Sequence, residues 1–267
     1  MLAKLIKYEW KASYKTLTAV NLTSAILTLL GCLFLRLAAS SREEGILLSI
    51  LFIVFYTLSL SAFNLVTQFY IYFRFYRNFY TAEGYLMHTL PVTPLQLLHS
   101  KLIVGYLWIT LNSLLNLLAL AALTWSSGLL ELPNAYTELL ILYRYTFGAS
   151  PLQFSLLFLA SMVISCFSTL MMGYLSILLG QLVEKYKRGA AIGFFIALYL
   201  GSQIIASLVT VFPSVLQALS GRLGYYGQFG LGFYGGIIGV VCLTQLLFGA
   251  AFYAICLFLM QRRVNLD

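Results

Sequence analysis

The chain has 267 residues, of which 61% are hydrophobic and 9% charged. No water-soluble domain of this size carries that balance. The formal net charge of +8 would suit a nucleic-acid partner, but the charges are placed as a membrane places them, and nucleic acid is excluded.

Residues 16–35, 45–73, 102–130, 145–183, 189–221 and 223–261 contain no Asp, Glu, Lys or Arg. A bilayer core is about 30 Å thick and takes about 20 apolar residues of helix to cross. Each window is long enough for one crossing. The expected fold is an all-α integral membrane protein with six transmembrane helices, built as one transmembrane domain over residues 1–267. The four cysteines, Cys32, Cys166, Cys242 and Cys256, all fall in expected spans and read as small apolar packing residues. The lysine-rich start lacks an immediate apolar core and a small-residue cleavage site, so no cleavable signal peptide is expected.

In chain order, residues 1–15 are expected to form an amphipathic interfacial helix. At 100° per residue Lys4, Lys7, Lys11 and Lys15 share one face, and Leu2, Leu5, Ile6 and Trp10 lie on the other. Spans are expected near 16–39, 46–70, 102–127, 151–181, 189–212 and 235–260. Two helix starts are explicit. Thr93-Pro94-Leu95-Gln96 and Ser150-Pro151-Leu152-Gln153 each combine a hydroxyl N-cap, a proline at the first helical position and a glutamine at N3. With both ends inside, twelve basic residues fall on the cytoplasmic side (Lys4, Lys7, Lys11, Lys15, Arg74, Arg77, Lys101, Lys185, Lys187, Arg188, Arg262, Arg263). Only Arg36, Arg42, Arg144 and Arg222 fall outside. That bias sets the orientation and matches anionic inner-leaflet lipid as the partner of the surplus charge. No longer internal repeat is visible, which removes the support for an inverted-repeat transporter.

The inner segment after the second span is unusual. Eight of the twelve residues from Phe69 to Tyr80 are aromatic, more than an interfacial belt alone requires. Thr81 is placed to cap a short helix over residues 82–89, ahead of Leu90-Pro91. Its apolar residues Tyr85, Leu86 and Met87 on a cytoplasmic loop call for a partner; resting on lipid is the alternative. The spans carry amides: Asn64 and Gln68 at i, i+4, Asn112 and Asn116 at the same spacing, and Asn21, Gln203 and Gln245 singly. Such groups face a bundle interior. The two pairs leave a substrate path and helix packing both open. Gly189/Gly193 and Gly235/Gly239 have the spacing of close helix contacts.

The run Arg77-Asn78 … Glu83-Gly84-Tyr85-Leu86-Met87 … Thr89-Leu90-Pro91-Val92 … Ser100-Lys101-Leu102 resembles permease subunits of ATP-binding-cassette (ABC) exporters of the type-2 class, common in Gram-positive bacteria. The opening KLIKYEWKAS is also similar to theirs. The resemblance implies a bacterial plasma-membrane protein with both termini cytoplasmic. It makes residues 82–89 a coupling helix, with Glu83, Tyr85, Leu86, Met87 and His88 contacting an ATPase subunit. Residues 1–15 become a connecting helix, and a second permease copy or similar permease becomes the partner across the membrane. It also suggests re-entrant helices in the outer segment 213–234, where Gly221, Gly224, Gly227 and Gly230 recur; a loose loop is the alternative reading.

The chain has no G-x-x-x-x-G-K-[ST] loop, and no glycine directly precedes a lysine. ATP and Mg would therefore be bound by the partner subunit, and no cofactor or metal is expected in this chain. No nucleophile elbow or intramembrane carboxylate pair is present, and His88 and His99 have no metal-ligand spacing. The chain is not expected to be an enzyme. Its rivals as an exporter subunit are an ion-coupled secondary transporter and a non-transporting sensor or assembly factor on the same fold.

Overall fold

The structure, a computed structural model, describes residues 2–39, 44–80, 93–126, 137, 151–219 and 231–263. Six long helices occupy them: α1 (Leu2–Ala39), α2 (Glu44–Tyr80), α3 (Pro94–Ser126), α4 (Pro151–Gly180), α5 (Lys187–Leu219) and α6 (Leu231–Arg263). All six are long and apolar enough to cross a bilayer. The usual soluble pattern of burial is inverted. Leu22, Leu29, Leu33 and Leu37 on α1, Phe55, Phe69 and Phe73 on α2, and Ile192, Ile204 and Leu208 on α5 are exposed, whereas Asn112 and Lys101 are buried. Side chains arranged this way need an apolar solvent. The chain is a multi-pass membrane protein.

All the helices but α4, which ends one residue short of its expected span, run longer than the expected spans. A charge-free window locates the apolar stretch, but a helix ends where its backbone bonds end. α1 passes unbroken through residue 15, so the expected separate interfacial helix is the N-terminal part of one 38-residue helix. Nothing there interrupts it, since the first glycine is Gly31 and the first proline Pro91. α2 carries the aromatic run to Tyr80. α3 begins at the expected Thr93-Pro94 start: the Gln96 amide donates to Thr93 Oγ1 (3.3 Å) and the Leu97 amide to the Thr93 carbonyl (3.2 Å). α5 continues through Pro213 to Leu219, and α6 already includes residues 231–234, so the expected outer segment is helical at both ends. Its middle, 220–230, lies outside the described residues.

The helices form two compact units, 1–137 and 138–267. In the first, α1, α2 and α3 pack mutually. The buried stripe of α1 is Ser13, Leu17, Asn21, Ser24, Thr28 and Leu35, a near-heptad of small and polar residues. Such stripes let helices approach closely in lipid, where apolar area alone drives nothing together. Far from the N-terminus, Leu35, Tyr56, Leu60, Ala119 and Leu123 form an apolar cluster. A Cβ on Gly31 would lie 3.1 Å from the Phe52 ring and 3.3 Å from Leu123.

In the second unit α4 packs on both α5 and α6. Its residues Leu170–Leu178 are buried on every side. Of the expected glycine motifs, Gly193 and Gly239 do not make these contacts: among the described residues a Cβ on either would meet nothing within 4 Å. The close approaches use Gly180, against Ala191, and Gly249, against Phe167. Spacing defines a helix face but does not say whether a neighbour lies on it. Hydroxyls in both units bond their own helix carbonyls, as Thr57 does to Val54 (2.8 Å) and Thr169 to Ser165 (2.9 Å). They are thereby satisfied without marking a polar path.

Candidate functional site

The coupling-segment residues Glu83, Tyr85, Leu86, Met87 and His88 lie outside the described residues. The span amides are described, and they separate into two groups. Asn112, fully buried on α3, donates from Nδ2 to Asn21 Oδ1 on α1 at 2.7 Å. Its own Oδ1 accepts from Asn116 Nδ2 at 3.3 Å. The three amides form a string running in one direction, ending on buried atoms, Asn21 Nδ2 and Asn116 Oδ1, that no protein hydrogen bond satisfies among the described residues. Asn64 and Gln68 instead bond each other along α2, Gln68 Nε2 to Asn64 Oδ1 at 3.3 Å. Of the single amides, Asn21 joins the string. Gln245 has a buried, unbonded Oε1, and Gln203 is exposed.

The Asn21–Asn112 bond ties α1 to α3 in the middle of the span. Asn112→Leu should weaken that packing by about 1 kcal/mol, the scale of an interhelical hydrogen bond in lipid. Asn64→Leu, which breaks a bond within one helix, should cost less. Thermal unfolding of the purified variants in detergent checks the order; equal melting points would contradict it.

Nearer the N-terminus, three charges meet that lie far apart in the sequence. Glu9 Oε1 accepts from Arg74 Nε at 2.6 Å, and Glu9 Oε2 accepts from Lys101 Nζ at 3.1 Å. The side chains of Lys101, Glu9 and Arg74 are only 3%, 11% and 15% exposed. Aromatic rings close the surroundings. Trp10 stacks on Trp108 with centroids 4.7 Å apart, and Lys101 Nζ lies 5.8 Å over the Phe79 ring. Farther along, Thr28 and Tyr56 bond through their hydroxyls. The first unit thus carries polar links between its helices at successive levels: the charges, the amides and the hydroxyls.

Two sequence signals could have found the triad. On the helical wheel Glu9 lies roughly opposite the four lysines, on the side of α1 that packs. Lys101 falls in register with the buried stripe Leu97, Val104, Trp108 and Asn112. A charge in an otherwise apolar stripe needs a counter-charge. The pairing itself joins residues 65 and 92 positions apart, which no local pattern encodes.

Chemically, the triad is one anion between two cations, net +1. Its arrangement suits fixing helices. No protein family, no curated protein and no solved structure matches the chain.

Proposed function

We propose that the chain is the membrane-spanning subunit of an ABC exporter of the type-2 class. Separate cytoplasmic subunits would bind ATP and Mg, and a second permease copy or a similar permease would complete the translocation path. The observation that carries this reading is the run from Arg77 through Val92 to Lys101, together with its place in the chain. It connects two long helices that pack side by side, at the end marked by Glu9 and the lysines of α1. An apolar segment presented there suits docking to a cytoplasmic subunit. ATP-driven closure of those subunits would reach the spans through α2 and α3.

An ion-coupled transporter would use an intramembrane carboxylate that is free to exchange its ion. Glu9 is buried but engaged by two cations, and it precedes the first charge-free window, which supports the exporter reading over that rival.

The test begins with the neighbouring coding sequences, where this reading expects an ATPase subunit with a phosphate-binding loop, and pairs the full chain with that subunit. The parent should co-purify with that subunit and raise its ATP turnover. Tyr85→Ala with Met87→Ala should leave membrane insertion intact and reduce association at least tenfold, because apolar anchors carry most of a small interface's energy. A double variant that still co-purifies and transports at the parental rate would reduce residues 82–89 to a lipid anchor.

A further inference from the structure

Glu9 serves both legs of the α2–α3 pair with different atoms. Oε1 holds Arg74, about two turns before the end of α2, and Oε2 holds Lys101, about two turns after the start of α3. A carboxylate needing only neutralisation would be satisfied by one cation. Here each oxygen is committed to a separate helix, inside a shell that excludes most water. A slide of either leg past α1, about 1.5 Å for one helical residue, bears directly on one of these two bonds, at 2.6 and 3.1 Å.

The remaining packing is less restrictive. At the opposite end, the legs meet through the apolar faces of Tyr56, Leu60, Ala119 and Leu123, and the directional bonds Tyr56–Thr28 and Asn112–Asn21 each join α1 to one leg only. The Trp10–Trp108 stack ties α1 to α3 alone. The Glu9 carboxylate joins all three helices through a single side chain, about two turns from Tyr80, where α2 ends, and from Pro94, where α3 begins.

We propose that Glu9 is a positioning residue that clamps the stem of the α2–α3 pair to the N-terminal part of α1 and so fixes the spacing of α2 and α3 where the chain leaves one and enters the other. The clamp follows from the geometry alone; only the identity of the docked partner, an ATPase subunit, rests on the function proposed above.

The clamp is tested by spin-label distances on the full chain in lipid nanodiscs, with the native cysteines replaced. Labels go at the exposed positions 12 on α1, 73 on α2 and 107 on α3. The parent should give one narrow distribution for each pair. Glu9→Gln should broaden the 12–73 and 12–107 distributions. Because that variant takes the shared carboxylate from two buried cations and could fail to fold, Glu9→Gln with Lys101→Met is measured beside it. The double variant removes one of those cations and should recover most of the melting temperature, yet its distances should remain broad. Parental melting with parental, narrow distances in the double variant would overturn the clamp and leave the triad as charge neutralisation alone. With the ATPase subunit, the double variant should still associate, since residues 81–92 are unchanged, but lose at least tenfold of the stimulation. If the parent itself binds no ATPase subunit, the proposed function fails, while the distances still decide the clamp.

Discussion

Gly180→Ala is expected to destabilise the second unit by about 3 kcal/mol, the upper part of the range for overpacking a rigid site. A Cβ at residue 180 would lie 2.6 Å from Ala191 Cβ and 2.7 Å from both Ala191 Cα and N. Two of those three atoms are backbone, so no side-chain rotation relieves the overlap. Nor is the connection free to retreat. The Leu182 amide donates to the Leu179 carbonyl at 3.0 Å, extending the end of α4 into a tight turn. On the other side the Ala190 amide donates to the Tyr186 carbonyl at 2.9 Å, which fixes the first turn of α5. Tyr186 completes the reversal with φ of 58°, a left-handed conformation that a non-glycine residue adopts at a cost.

The control is Gly193→Ala, on the same helix as Ala191. Nothing lies within 4 Å of its added methyl, and alanine is the better helix former by up to about 1 kcal/mol. Thermal unfolding in detergent should therefore separate the two variants in opposite directions. Gly180→Ala melting with the parent would mean that α4 and α5 approach less closely than these distances require.

The two glycines also show what the sequence could and could not convey. Gly189 and Gly193 have a recognised spacing, yet Gly193 faces open space; Gly180 has no motif, yet it decides the turn. All six helices were legible because apolar length is a property of a single segment. Their ends were not. Aromatic and basic residues beyond a window, such as Arg74 to Tyr80 in α2, leave the charge-free stretch without leaving the helix. The same division holds for the candidate site. Asn112 and Asn116 could be paired from their i, i+4 spacing, because one helix face contains both. Their partner Asn21 is 91 residues from Asn112, and only the packing of α1 on α3 brings it there.

The largest effect in the first unit is expected from Glu9→Gln, and the order of its companions follows from counting charge. The parent triad holds one anion and two cations. Glu9→Gln removes the carboxylate that Arg74 and Lys101 share while both stay buried, the situation in which breaking a buried ion pair costs about 3–5 kcal/mol. Lys101→Met leaves the 2.6 Å pair of Glu9 and Arg74 intact and replaces a 3% exposed ammonium by an apolar chain of similar length. Loss of one partner is costly when it leaves a buried charge uncompensated; here Glu9 keeps its bond to Arg74, so that cost does not arise. Lys101→Met should therefore melt at or above the parent. The double variant should lie between the two single ones, because the cation it keeps, Arg74, is the most exposed member of the triad. The resulting order of stability is Lys101→Met at or above the parent, then the double variant, then Glu9→Gln, measured by thermal unfolding in one detergent at one pH. If Lys101→Met were as damaging as Glu9→Gln, contacts of the ammonium besides Glu9, such as that with the Phe79 ring, would outweigh the charge count, and a charge-count account of the triad would be wrong.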